Sequence, residues 1–174
     1  MHKLAPIPDD YAADQNQLVT SGLSALGFEQ YEISNFAKEG FVSQHNSNYW
    51  KGEKYLGIGP SAHSFVGNKR LWNVSNNPKY INAIENNTLF FEEEIIDENT
   101  AYNEYILTRL RTIWGIDIMD LNNKFNSTLI HHFKKEISPF LQNNFVQQRK
   151  NVFILTKKGI FIADKISSDL FFIP

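Results

Sequence analysis

The sequence predicts an α+β chain: the last helix-strand piece of an α/β barrel or layered sheet, an irregular loop with a hairpin, and a helical, winged-helix-like tail. Three observations predict it. A helical apolar period near the amino terminus runs into a short strand-like alternation. The stretch from Lys38 to Gly59 mixes polar, aromatic and glycine residues with no sustained period. Beyond Gly115 the patterns follow one another as helix, helix, hairpin, helix. With 174 residues, 42% hydrophobic and 14% aromatic, the chain is long enough to bury a core in one domain or two small ones, divided here as 1–90 and 91–174.

Each element has its own signal. Asp9 and Asp10 mark a helix start, and Ala12, Leu18, Val19, Leu23 and Leu26 follow at roughly helical spacing up to Gly27. Tyr31, Ile33 and Phe36, alternating with Glu32 and Ser34, predict a short strand. Lys38 to Gly59 reads as an ordered functional loop. Gly67-Asn68 between the β-prone arms of Ala62 to Val74 predicts a hairpin, and Pro78 opens a short helix through Ile84.

The acids Glu92, Glu93, Glu94, Asp97 and Glu98 precede a helix with Tyr102, Tyr105, Ile106, Leu110 and Ile113 on one face. They suit the positive end of a helix dipole, so a solvated helix entrance is expected in preference to a metal site. Further helices are expected over Leu121 to Phe125 and through Leu129, Ile130, Phe133 and Ile137. Ser138 then caps a new helix with Pro139 in its first turn. Strands at Phe145 to Gln148 and Val152 to Leu155 follow, and Thr156 caps a last helix with Ile160, Ala163, Ile166 and Leu170 as its inward stripe.

Composition excludes several functions. The 17 basic and 19 acidic side chains leave a charge of -2, so no overall field draws the chain to nucleic acid or anionic lipid. Cysteine is absent, which excludes disulfides, thiolate zinc sites and cysteine-ligated iron–sulfur clusters within this chain. The longest apolar runs, such as Val152 to Leu155 and Leu170 to Ile173, are too short to span a bilayer, and no signal pattern opens the chain; a cytoplasmic location is expected. From Asn126 to Gly159 six bases face one acid, and Arg149 and Lys150 sit in the wing. Such a patch can contact phosphates, but lysines at helix ends and turn tips also serve solubility, so no nucleic-acid partner is expected.

Chemistry concentrates in His45-Asn46-Ser47-Asn48-Tyr49-Trp50, where an imidazole, amides and two amphipathic rings lie together. Imidazole can bind haem iron axially, and tyrosine and tryptophan offer flat apolar surface with a polar edge. The competing reading is that His45 hydrogen-bonds the loop and Trp50 plugs the core. In Gly57-Ile58-Gly59-Pro60, leading to Ala62-His63-Ser64, the glycines allow a close backbone approach to a flat ligand or simply a tight strand exit. His63 is a second candidate imidazole. Ser61 and Ser64 flank it without forming a base-nucleophile geometry, and His131 and His132, adjacent on a helix, point about 100° apart and chelate poorly.

Three ordered motifs carry a resemblance. Gln30-Tyr31-Glu32-Ile33-Ser34-Asn35-Phe36-Ala37, then His45-Asn46-x-x-Tyr49-Trp50, then Tyr55-x-Gly57-x-Gly59-x-x-Ala62-His63-Ser64 closely resemble the HemW family of haem chaperones, and the tail resembles the small domain that family shares with HemN, the oxygen-independent coproporphyrinogen III oxidase. The resemblance implies the end of a radical-SAM (β/α) barrel followed by a winged-helix-like HemN C-terminal domain. It implies haem as ligand, with His45 contacting the iron and Asn46, Tyr49 and Trp50 as motif partners. Gly57, Gly59 and Ala62 would then belong to a wall near an S-adenosylmethionine pocket.

The 4Fe–4S cluster and S-adenosylmethionine of the family depend on a CxxxCxxC motif that this chain lacks, so the sequence is expected to be a piece of a longer protein without radical activity of its own. Haem-accepting membrane proteins would be the partners of the whole protein, which would sit in the cytoplasm or peripherally at the membrane. Uncovered barrel-side faces at Leu18, Leu23 and Tyr31 would permit a homodimer. The alternatives are a coproporphyrinogen III dehydrogenase and a winged-helix nucleic-acid-binding module.

Overall fold

A computed structural model describes residues 9–88 and 91–174; the side chains of Asp9 and Asp10, and hence their expected capping role, lie outside the described residues. Helix α1 (Asp9–Ala25) leads through a left-handed Gly27 into a two-stranded hairpin of β1 (Glu29–Glu32) and β2 (Asn35–Ala37). The single strand expected over Tyr31 to Phe36 is thus folded back on itself. The cause is local: the Glu32 carboxylate accepts hydrogen bonds from the backbone N–H of Ser34 (2.8 Å) and from Asn35 Nδ2 (2.6 Å), which holds a tight turn. Helix α1 packs on β1 and leaves Leu18, Val19 and Leu26 exposed.

The expected irregular loop contains a helix, α2 (Gln44–Lys51). Ser43 caps it, accepting from the Asn46 N–H, and Ser47 Oγ donates back to the Ser43 carbonyl at 2.7 Å. Gly52, at φ 72°, ends it by donating to the carbonyls of Asn48 and Tyr49. Its inward residues are Asn46, Ser47 and Trp50, only one of them apolar, so no hydrophobic period announced it.

A second antiparallel sheet has the order β3 (His63–Val66), β4 (Lys69–Asn73), β5 (Phe91–Ile95). The β3–β4 hairpin turns at Gly67-Asn68 as expected and pairs His63 with Trp72. Between β4 and β5 runs α3 (Asn77–Glu85), capped by Asn76 with Pro78 in its first turn. Glu92, Glu93 and Glu94 are strand residues of β5, not a helix entrance. Each finds a partner from β4: Trp72 Nε1 donates to Glu92 (3.1 Å), Lys69 pairs with Glu93 (3.0 Å) and Arg70 with Glu94 (3.5 Å). Cross-strand pairs override the helix-dipole preference here. Only Asp97 and Glu98 stand at the start of α4 (Glu98–Leu110).

The remaining elements are β6 (Ile116–Asp117), α5 (Ile118–Lys124), α6 (Ser127–Gln142), β7 (Val146–Arg149), β8 (Val152–Leu155), α7 (Lys157–Ile160) and α8 (Ala163–Asp169). The sheet has the order β6-β8-β7, with α5 and α6 inserted between the first two strands in sequence, so helix and sheet are mixed in the tail as expected. Its core gathers Tyr102, Ile106 and Leu110 of α4, Phe133 of α6, Phe153 of β8 and Ile166 of α8. The Tyr102 hydroxyl is satisfied by donating to the Leu170 carbonyl at 3.1 Å.

Two expected boundaries differ. Helix α6 is continuous through Ser138, with Asn126 as its cap and Pro139 inside its last turn. The ring costs the helical partner of the Lys135 carbonyl, and Lys135 lies on the exposed side where water can serve instead. The last helix is split at Phe161 and Ile162 into α7 and α8, although Thr156 caps its start as expected.

Candidate functional site

On α2 the HNxxYW residues divide by helical spacing into two faces. Asn46 and Trp50 point inward. Asn46 Nδ2 lies 3.4 Å from Asn35 Oδ1, and the Trp50 ring packs edge-on against Tyr31 (5.8 Å) and beside Trp114 (6.5 Å). His45 and Tyr49 point outward, their rings edge to face at 4.9 Å. His45 is exposed, Tyr49 is 44% exposed, and the imidazole makes no hydrogen bond among the described residues. The helix therefore anchors through one pair and presents the other. The competing structural reading is realised only in part: Trp50 is half-buried as a plug, but His45 does not tie down a loop.

The Tyr49 ring leads inward to Tyr55 (4.6 Å), which leads to Phe65 (6.2 Å). These rings line a cavity of about 620 Å³ between α2, the β3–β4 hairpin and α4. Across it stand Arg70, Glu104, Tyr105, Arg109, Lys124 and Phe125. Arg70 binds Glu104 at 2.7 Å, and the Tyr105 hydroxyl donates to Asp120 at 2.9 Å. Burial, reinforced by Tyr49, pushes the Tyr55 phenol up, and burial beside Asp120 pushes the Tyr105 phenol up, so both remain protonated donors at neutral pH.

Gly57, Gly59 and Ala62 are not among the residues that line this cavity. Gly57 is held by backbone approach: a Cβ there would lie 2.1 Å from the His63 carbonyl oxygen. Its N–H donates to Ser64 Oγ (2.9 Å), and Asn73 Nδ2 donates to the Gly59 carbonyl (2.9 Å). His63 is exposed with its ring 6.0 Å from Trp72, well apart in sequence and strand from the His45 helix. His132 is engaged with the Phe171 carbonyl at 3.0 Å, and among the described residues no cluster of three metal-ligating side chains occurs.

Comparison with known proteins fits this arrangement. The HemN C-terminal domain model matches residues 96–162, from the entrance of α4 to the end of α7. The chain carries a HemN C-terminal domain. It is 29% identical over 161 residues to the haem chaperone HemW of Bacillus subtilis, covering 91% of this chain and 42% of that protein. A 59-residue stretch is 52% identical to the mitochondrial radical S-adenosyl methionine domain-containing protein 1 of Mus musculus, covering 33% of this chain and 13% of that protein. The solved structure of coproporphyrinogen III oxidase (HemN) from Escherichia coli superposes with a TM-score of 0.69 over 95% of this chain and 42% of that one, at 16% identity, which shows the fold. The chain thus spans about two-fifths of the length of the HemW relatives it matches.

The cavity consequently lies where α2 and the β3–β4 hairpin meet the HemN C-terminal domain, since Tyr105, Arg109 and Lys124 all fall within residues 96–162. The sequence reading missed the far wall. The one signal for it was Arg109 four residues after Tyr105, the spacing that lays a cation over a ring on the same helix; its guanidinium carbon is 5.5 Å from the ring centre. No described helix is long and apolar enough to cross a membrane.

Proposed function

We propose that this chain is the haem-binding part of a haem chaperone, holding haem for delivery to haem proteins, with His45 as the ligand to iron. One observation carries the reading: an exposed imidazole without a hydrogen-bond partner among the described residues stands edge-on to Tyr49 at 4.9 Å, at the mouth of a series of rings. The unprotonated ring nitrogen of a neutral imidazole can coordinate, and Tyr49 supplies the flat surface a porphyrin needs. Asn46 sets the pitch of the helix, and Trp50 both packs inward and lines the cavity beside Tyr49. The names of the HemW relatives support the same reading.

The two units of the protein are best divided after Ile95, because β5 completes the sheet of β3 and β4. A division at 90 would cut that sheet. Gly57, Gly59 and Ala62 serve as the scaffold of Tyr55 in this reading. No residue of the chain supplies a thiolate, so these residues cannot ligate an iron–sulfur cluster through cysteine.

Haem titration followed by Soret absorption tests the ligand. His45→Ala is expected to lose the shifted, coordinated band while His63→Ala retains it. Equal spectra for wild type and His45→Ala would remove His45 from the site.

A further inference from the structure

The cavity beside Tyr49 carries more charge than an apolar ligand needs. Its lining includes the cations Lys51, Arg70, Arg109 and Lys124 and the carboxylates Glu53 and Glu104. Two cations are matched, Arg70 by Glu104 at 2.7 Å and Lys124 by Asp120 at 3.1 Å. Glu53 and Lys51 are both exposed, where water screens them, so Lys51 contributes less than a half-buried cation would. Arg109 and Lys51 have no carboxylate partner among the described residues, and each rests on a ring instead: Arg109 on Tyr105 at 5.5 Å, Lys51 on Trp114 at 5.7 Å.

Arg109 is half-buried. A guanidinium partly withdrawn from water gains from an anion that restores its lost hydration, and its planar fork fits a carboxylate through two parallel hydrogen bonds. Two unmatched cations beside a wall of Tyr49, Tyr55, Phe65 and Phe125 complement a flat apolar molecule with two carboxylates. A long acyl chain would leave both cations unmatched, and a small dianion would leave the rings uncovered.

We propose that this cavity takes the dicarboxylate edge of a tetrapyrrole, with Arg109 as the principal carboxylate anchor and Lys51 as the second. The identity of the ligand rests on the haem reading above, but the anchoring uses none of its iron chemistry. Arg109 selects for free propionates, and His45 selects for the metal.

Metal-free protoporphyrin, which gives His45 nothing to ligate, separates the two roles. Its binding is followed by porphyrin fluorescence beside that of its dimethyl ester, in one detergent buffer, for wild type, Arg109→Gln, Lys51→Gln and His45→Ala. Arg109→Gln is expected to weaken the diacid about tenfold and to leave the ester within about twofold, the loss of one charge-assisted bidentate contact. Lys51→Gln weakens the diacid about threefold, as a flexible point charge does, and His45→Ala weakens it less than Arg109→Gln does. The ester is the control for folding, since a misfolded variant loses both ligands alike. Equal diacid affinity in wild type and Arg109→Gln, an equal loss on the ester, or no diacid binding by wild type overturns the proposal. Failure of His45→Ala to alter the haem spectrum overturns the iron-ligand reading alone and leaves the Arg109 dependence standing.

Discussion

Arg111 Nε donates to Glu32 Oε1 at 3.0 Å, and so ties a carboxylate in β1 that is only 4% exposed to the residue that ends α4. The same guanidinium reaches Asp164 of α8 at 2.9 Å, while the other oxygen of Glu32 holds Asn35, whose side chain meets Asn46 of α2. A single polar path thus runs from the HNxxYW helix to α8, just beyond the residues that match the HemN C-terminal domain. It sets where α2 stands relative to α4, and therefore the width of the cavity between them.

Removing Arg111 leaves Glu32 buried without its counter-charge. Because Ser34 and Asn35 still donate to it, Arg111→Met is expected to cost roughly 2 kcal/mol, below the range of about 3–5 kcal/mol for breaking a buried pair. Urea unfolding measures it. Combining Arg111→Met with Glu32→Gln should recover part of the loss, and strict additivity of the two would show that the ion pair couples nothing.

Gly57→Ala places a methyl 2.1 Å from the His63 carbonyl oxygen. The 55–57 strip must then move off β3, breaking the mutual Tyr55–Phe65 backbone bonds at 2.9 and 3.1 Å. A loss of about 1–3 kcal/mol is expected, with weaker porphyrin binding because Tyr55 shifts. A thermal melt together with near-ultraviolet circular dichroism reads both effects; an unchanged melting temperature would mean that the close approach is easily relaxed.

Asp97 caps α4 by accepting from the Thr100 N–H at 2.7 Å, and that bond holds its carboxyl below the ordinary value of 3.8. A depressed folded value means that its contribution is fully present above pH 3.8 and is lost as the pH falls through the lower folded value. Denaturant midpoints recorded from neutral to strongly acidic pH should decline less steeply below that point in Asp97→Asn than in wild type. Parallel profiles would show that the cap is insensitive to its charge.

Phe133 is fully buried, with its ring 5.2 Å from Phe153 at the centre of the tail. Phe133→Ala is expected to cost about 3–5 kcal/mol through lost burial and the cavity left behind. The accompanying fall in melting temperature is measurable by calorimetry, and a change under about 1 kcal/mol would imply that the tail collapses to fill the space.

Much of the tail was legible in the residues. Phe133, Ile137, Ile166 and Leu170 recur at helical spacing with large apolar side chains, and ahead of the tail Gly67-Asn68 marks the turn of the β3–β4 hairpin by backbone preference alone. The errors fall where local pattern is weak or outvoted. The α2 helix is eight residues long and mostly polar, and Glu92 to Glu94 acquire their strand through pairing with β4, where Trp72, Lys69 and Arg70 donate to them.

The candidate site divides in the same way. Residue chemistry and spacing along one segment determined His45, Tyr49 and the absence of thiolates, because a ligand atom and a missing element are properties of the chain itself. Which ring faces outward, and the meeting of Arg109 and Lys51 around one space, were decided by the tertiary structure. Those residues are far apart in sequence, and only the packing of α2 and the β3–β4 hairpin against α4 brings them to a common cavity. Charge left unmatched in three dimensions has no one-dimensional signature, since every lysine and arginine looks free until the fold assigns its carboxylate.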